Sequence, residues 1–148
     1  MNIFSKYSGE VKIDETKILN FEKGLPGFPE EKQFIILPLS DDDTLQIMQS
    51  VKTPELAFVI TNAFHFFKGY DFTLDDASIE QLELEAPEQV DVFNILTVQD
   101  PFEKTTANLQ SPVIINKSNQ LAKQVILNNP AFTTKHRIFE QKMISEEG

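Results

Sequence analysis

The chain has no cysteine and no tryptophan, five glycines, two histidines, and only 13 basic residues against 23 acidic ones in 148 positions. Each scarcity removes a class of function. Without cysteine there is no disulfide framework, no thiolate zinc site and no cysteine nucleophile. The two histidines, His65 and His136, leave a thin supply of general bases. There is no His-Glu-x-x-His, no Gly-x-Ser-x-Gly and no glycine loop spaced to cradle a phosphate. A protein that is not an enzyme, with no cofactor and no metal, is therefore expected. The net charge of −10 repels a polyphosphate backbone, so direct nucleic-acid binding is not expected. The same field attracts a basic protein. No apolar run approaches the ~20 residues of a membrane-spanning helix. The first residues also lack the pattern of a secretory signal, so no membrane association and a cytoplasmic location are expected.

What is present is β-type sequence. Hydrophobic residues make up 41% of the chain and charged residues 24%, a globular balance. Strand-like runs recur at 11–13, 17–21, 33–37, 45–49, 56–61, 90–98, 112–116 and 124–127, rich in β-branched and aromatic residues. In the 90–98 run both alternating faces carry apolar side chains, which predicts a central strand. Turn clusters separate the runs, at Ser40-Asp41-Asp42-Asp43, Lys52-Thr53-Pro54-Glu55 and Asn128-Asn129-Pro130 among others. The most shaped of them is Gly24-Leu25-Pro26-Gly27-Phe28-Pro29, where proline fixes φ and glycine is free to take φ > 0. One short helix is predicted after Asp75 or Asp76, either of which can cap Ala77–Leu82. The pattern predicts an all-β, mainly antiparallel fold, a small barrel-like or strongly curved sandwich, as a single domain over 1–139. Residues 140–148 read as a polar tail outside it.

Few residues carry candidate chemistry. Asp41, Asp42 and Asp43 lack the alternating ligands and distant glutamate of a calcium loop and read as a solvated hairpin tip. Asp71, Asp75 and Asp76 suggest paired carboxylates for glycoside hydrolysis only if space brings them together. His65, within Ala63-Phe64-His65-Phe66-Phe67, reads as a strand or loop histidine. Thirteen phenylalanines stand out, densest at Phe64, Phe66, Phe67, Tyr70 and Phe72. Most belong to a core, and any that remain exposed form an apolar patch suited to a protein partner.

Several blocks together resemble the flagellar assembly factor FliW family. They are Phe21-x2-Gly24-Leu25-Pro26-Gly27-Phe28, Met48-Gln49-Ser50 ahead of Pro54-x3-Phe58, and Tyr70-x-Phe72-x-Leu74. Leu96-Thr97-Val98, the run from Thr106 to Asn116, and Gln124-Val125-Ile126-Leu127 follow in the same order. The resemblance spans about residues 10 to 139 and implies a small β-barrel-like fold and a non-enzymatic regulator. FliW-like proteins bind flagellin, the filament subunit, and also CsrA, a small basic RNA-binding protein that represses flagellin translation, so that flagellin export is coupled to flagellin synthesis. A flagellin helix needs an apolar groove, for which Phe28, Phe64, Phe66 and Phe67 are the candidates on chemical grounds. For CsrA the candidates are the acidic positions Asp41, Asp42, Asp43, Asp75 and Asp76. Gly24, Leu25, Pro26, Gly27, Asn108 and Asn116 are read as turn-forming and backbone-capping residues. A small-molecule-binding β-barrel, with a cavity lined by phenylalanines, is the alternative.

Overall fold

The computed structural model describes residues 1–39, 44–67 and 69–138, and among these eleven strands form. They are β1 (Asn2–Ser5), β2 (Gly9–Lys12), β3 (Leu19–Asn20), β4 (Gln33–Pro38), β5 (Gln46–Ser50) and β6 (Ala57–Asn62). After two short helices, α1 (Ala63–Phe66) and α2 (Asp76–Gln81), come β7 (Val90–Thr97), β8 (Thr106–Ala107), β9 (Val113–Asn116), β10 (Leu121–Gln124) and β11 (His136–Arg137). Asp41, Asp42, Asp43 and the polar tail lie outside the described residues. Among the described residues no helix is long and apolar enough to cross a membrane.

Seven strands close into a barrel in the order β7-β6-β5-β4-β3-β10-β9 and back to β7. Every pairing is antiparallel except β3 with β10, where Leu121 lies against Asn20. The closing strand β7 is long enough to serve two neighbours on one edge. Val90–Phe93 pair with β9, and Leu96 and Thr97 pair with β8, while the other edge holds β6. The prediction of a central strand holds, and so does the barrel.

Alternation along these strands splits the core into two layers. Leu19, Phe34, Met48, Ile60, Phe93, Val113, Ile115 and Ala122 draw on all seven barrel strands and fill the interior, with Phe21 and Leu25 from the corner. The rings of Phe21 and Phe34 meet edge to face at 5.4 Å. On the outside of the wall, Ile47, Val59, Val92, Leu96 and Ile114 are covered by α1, the 67–84 segment and the 105–138 returns. The β1–β2 hairpin covers a third face with Ile3 and Ile13 packed on Ile35 of β4.

Polar side chains tie these layers at the barrel ends. Gln49, wholly buried, accepts from the Lys6 N–H at 2.9 Å and faces the carbonyls of Ser50, Pro54 and Leu56 with Nε2 at 3.1 to 3.2 Å. It thereby joins the hairpin to the β5–β6 turn. Next to it, Glu31 accepts from Ser50 Oγ at 2.6 Å and Thr53 Oγ1 at 2.5 Å. Partial burial of Glu31 raises its pKa, but the two hydroxyl hydrogen bonds outweigh that and hold the carboxyl below its ordinary value.

Three expectations are corrected. The 63–66 stretch is helical, because Asn62 Oδ1 accepts from the Phe64 N–H at 3.0 Å and turns the chain off β6, so His65 sits on a helical turn and not on a strand or loop. The last predicted strand forms earlier, at 121–124, because its register is set by the turn after β9, where Gln120 takes φ 62°. Three strands, β1, β8 and β11, went unpredicted; the last two are only two residues long and give no periodic signal. The corner at Gly24 is as expected. Its φ is +68°, and a Cβ there would lie 2.6 Å from the carbonyl oxygens of both Phe28 and Pro29.

Gly27 has φ +85° but open space around it. Gly24→Ala is therefore expected to cost about 2 kcal/mol or more, and Gly27→Ala about 1 kcal/mol, read from urea midpoints; equal midpoints would refute the backbone clash. For Glu31, depression of the folded pKa means its stabilisation is complete above the ordinary value of 4.5 and fades as pH falls through the lower folded pKa. Glu31→Gln should cost about 1 kcal/mol at neutral pH, and the gap to the parent should close in acid. A gap independent of pH would show that the carboxylate charge plays no part.

Candidate functional site

An open groove of about 560 Å³ lies on the outer face of the barrel. Its floor is the start of β7, with Val90 and Val92, and Tyr70. One wall is the 71–74 segment with Phe64 behind it; the other is α2, through Ile79, followed by the lip Leu84-Glu85-Ala86-Pro87. The lining is mostly apolar. Phe64 is 48% exposed and Ile79 37%, large apolar side chains left in solvent at the groove. Such a trough, with only Asp71 and Glu85 ionised among its lining residues, suits an apolar or amphipathic segment better than a polar metabolite.

Local chemistry explains each wall. Asp75 caps α2 by accepting from the Ser78 N–H at 3.2 Å, and bonds from Ser78 hold its carboxyl below the usual range. The helix ends with Glu83 at φ 54°, Leu84 N–H donating to Ile79 O and Glu83 N–H to Glu80 O, the paired bonds of a Schellman stop. Here a glutamate occupies the site that glycine usually takes. Asn116, buried on β9, donates Nδ2 to Leu82 O at 2.8 Å and so satisfies one of the last helix carbonyls. From β10, Lys123 Nζ reaches Gln81 Oε1 at 2.5 Å and Ser78 Oγ at 3.3 Å, fastening the helix to the barrel from behind. On the floor, Tyr70 donates its hydroxyl to Leu109 O at 2.6 Å. Burial pushes that phenol up to about 12, against a smaller opposing effect of Asn94.

The predicted site residues are distributed as follows. Phe64 lines the groove, while Asp75 and Asp76 stand exposed at the N-terminal end of the helix that forms its other wall and are not part of its lining. Phe67 is only 6% exposed, with its ring 5.2 Å from that of His136, and supports the surface from beneath. Phe66 is half-buried against the outer core. Phe28, 41% exposed, belongs elsewhere: it closes the Gly24 corner on Leu25 and packs edge to face on Phe58. Asn108 and Asn116 act as read, accepting from the backbone N–H groups of Ser111 and Ser118.

Reasoning from sequence missed Asp71 and Glu85 as rim groups, and Ile79, Leu84 and Val90 as lining. One signal was available. Between Gly69 and Glu103 lie ten of the 23 carboxylates and none of the 13 lysines and arginines, so the segment that builds the groove is uniformly acidic.

Comparison with known proteins agrees with this architecture. The family model described as FliW protein matches residues 2–138. The flagellar assembly factor FliW of Bacillus velezensis is 51% identical over 138 residues, covering 93% of this chain and 96% of that protein. Its counterpart in Bacillus subtilis is 49% identical over the same coverage, and that of Geobacillus kaustophilus is 50% identical over 97% of this chain and 99% of its own length. A crystal structure of the flagellar assembly factor FliW superposes with a TM-score of 0.89 at 47% identity, covering 96% of this chain and 99% of that one. The chain belongs to the FliW family of flagellar assembly factors.

Proposed function

We propose that this protein is a non-enzymatic partner switch that holds either flagellin or the RNA-binding repressor CsrA, one at a time, and so couples flagellin export to flagellin translation. The observation that carries the reading is the apolar groove built from an acidic segment. An amphipathic flagellin helix has its apolar face complemented by Phe64, Ile79 and Val90, in the manner of helix-in-groove recognition. A basic protein such as CsrA is drawn to the same region by Asp71, Asp75, Asp76 and Glu85. With both attractions centred on one groove, occupancy by either partner excludes the other. Release then follows from mass action alone. A docked domain of charge −10 also brings negative potential to an RNA-binding surface, which disfavours the transcript.

The alternative of a barrel that carries a small molecule is less well supported, since the concavity lies outside the wall while the interior is filled by side chains.

Calorimetry with purified flagellin and CsrA tests the switch. Each should bind alone, and flagellin should displace CsrA. Phe64→Ala combined with Ile79→Ala should weaken flagellin by about tenfold or more, as expected for two truncated apolar anchors. Asp71→Asn with Glu85→Gln should weaken CsrA chiefly at low salt. A stable ternary complex, or binding of neither protein, would overturn the reading.

A further inference from the structure

We infer that Gln89 is the positioning residue of the groove, acting through a hydrogen-bond relay Gln89–Ser118–Asn116 that holds the lip 84–87 in its binding shape. This rests on the reading that the groove is the partner site. The lip has no regular ladder to hold it. Pro87 cannot donate, and the lip lies between the end of α2 and a single 3-10 turn at Pro87–Gln89. Its two free donors, the Glu85 and Ala86 N–H groups, both go to one atom, Gln89 Oε1, at 2.7 and 3.0 Å. Gln89, at the third position of the turn, thus reaches back to the N-cap backbone N–H of Ala86, whose methyl side chain offers no cap of its own.

The other end of the same amide reaches across the fold. Gln89 Nε2 donates to Ser118 Oγ at 3.1 Å, and the Lys117 N–H donates to Gln89 O at 2.7 Å, so the 117–120 turn grips this residue by side chain and backbone. Ser118 N–H in turn donates to Asn116 Oδ1 at 2.9 Å, and Asn116 Nδ2 closes the circuit on Leu82 O, at the other end of the lip. The β9–β10 turn thus fixes both ends of the 82–89 loop against the barrel. Asn116 also stops α2, which makes its loss globally damaging, whereas Gln89 is half-buried and its side-chain hydrogen bonds run to the loop and the turn. Truncating Gln89 releases the lip while the barrel ladders stay intact.

Gln89→Ala, Ser118→Ala and Gln89→Glu separate positioning from stability. The glutamate keeps an acceptor for both lip donors and accepts from the Ser118 hydroxyl, so it should rescue the shape. Amide exchange at Glu85 and Ala86 should quicken tenfold or more in Gln89→Ala, stay near the parent in Gln89→Glu, and change less in Ser118→Ala. Flagellin binding, measured at raised salt to mute the added charge, should weaken about five- to tenfold in Gln89→Ala and recover in Gln89→Glu. Asp14→Ala, which removes the cap of a distant 3-10 turn, serves as a control for small stability losses and should leave binding unchanged. Unchanged exchange at Glu85 and Ala86 in Gln89→Ala overturns the inference, as does full flagellin affinity in that variant. If the parent protein itself ignores flagellin, the partner-switch reading fails, and the exchange rates still decide whether Gln89 sets the lip.

Discussion

Strand β7 pairs with β6 on one edge and with both β9 and β8 on the other, and it is the pairing of Val90–Phe93 with β9 that closes the barrel. Closure leaves this wall no open edge, which removes the hazard of unpaired backbone in a sheet of this size. It also commits both faces of β7 to burial. Phe93 points into the packed interior, while Val92 and Leu96 join the outer core. The groove floor is the start of this same strand, which is hydrogen-bonded to three other strands.

The wall above that floor is built from short pieces. Helix α2 has only six residues, below the length at which a helix is stable alone, and it persists because Asp75, Asn116 and Lys123 satisfy its ends and flank. Each fastening comes from a different part of the chain. A groove made this way is held in shape by contacts from across the fold. The 69–103 segment carries ten carboxylates and no lysine or arginine, so its charge is negative throughout. Within it, Asp91 pairs with Lys117 at 3.8 Å, a solvent-exposed and weak ion pair.

Much of the barrel was readable because alternation and β-branched content mark strands buried on one or both faces, as in 33–37, 45–49 and 90–98. The corner at Gly24 was readable because only glycine tolerates that φ with two carbonyls against it. The cap at Asp75 was readable from residue type and spacing. What escaped were features with little local signal. Strands β8 and β11 exist because β7 offers an edge to Thr106–Ala107, and β10 sits three residues earlier than its apolar content suggests because a hairpin turn sets its register. The acidic and aromatic candidates were sensible by chemistry, yet Phe67 is interior, Phe28 is remote from the groove, and Phe64 alone of the four phenylalanines lines it.

The amino-acid sequence by itself determined an all-β chain with a shaped corner, a capped short helix, a strongly acidic character and a resemblance to one family, because each of these depends on neighbours a few positions apart. The tertiary structure alone decided which apolar residues stay in solvent and that Phe64, Ile79 and Val90 line one groove. It also decided that Gln89 and Asn116, 27 positions apart, bracket the same loop. The reason is geometric. Exposure and convergence follow from how the closed sheet folds distant segments over its outer face, and no local pattern encodes which of two apolar faces another segment will cover.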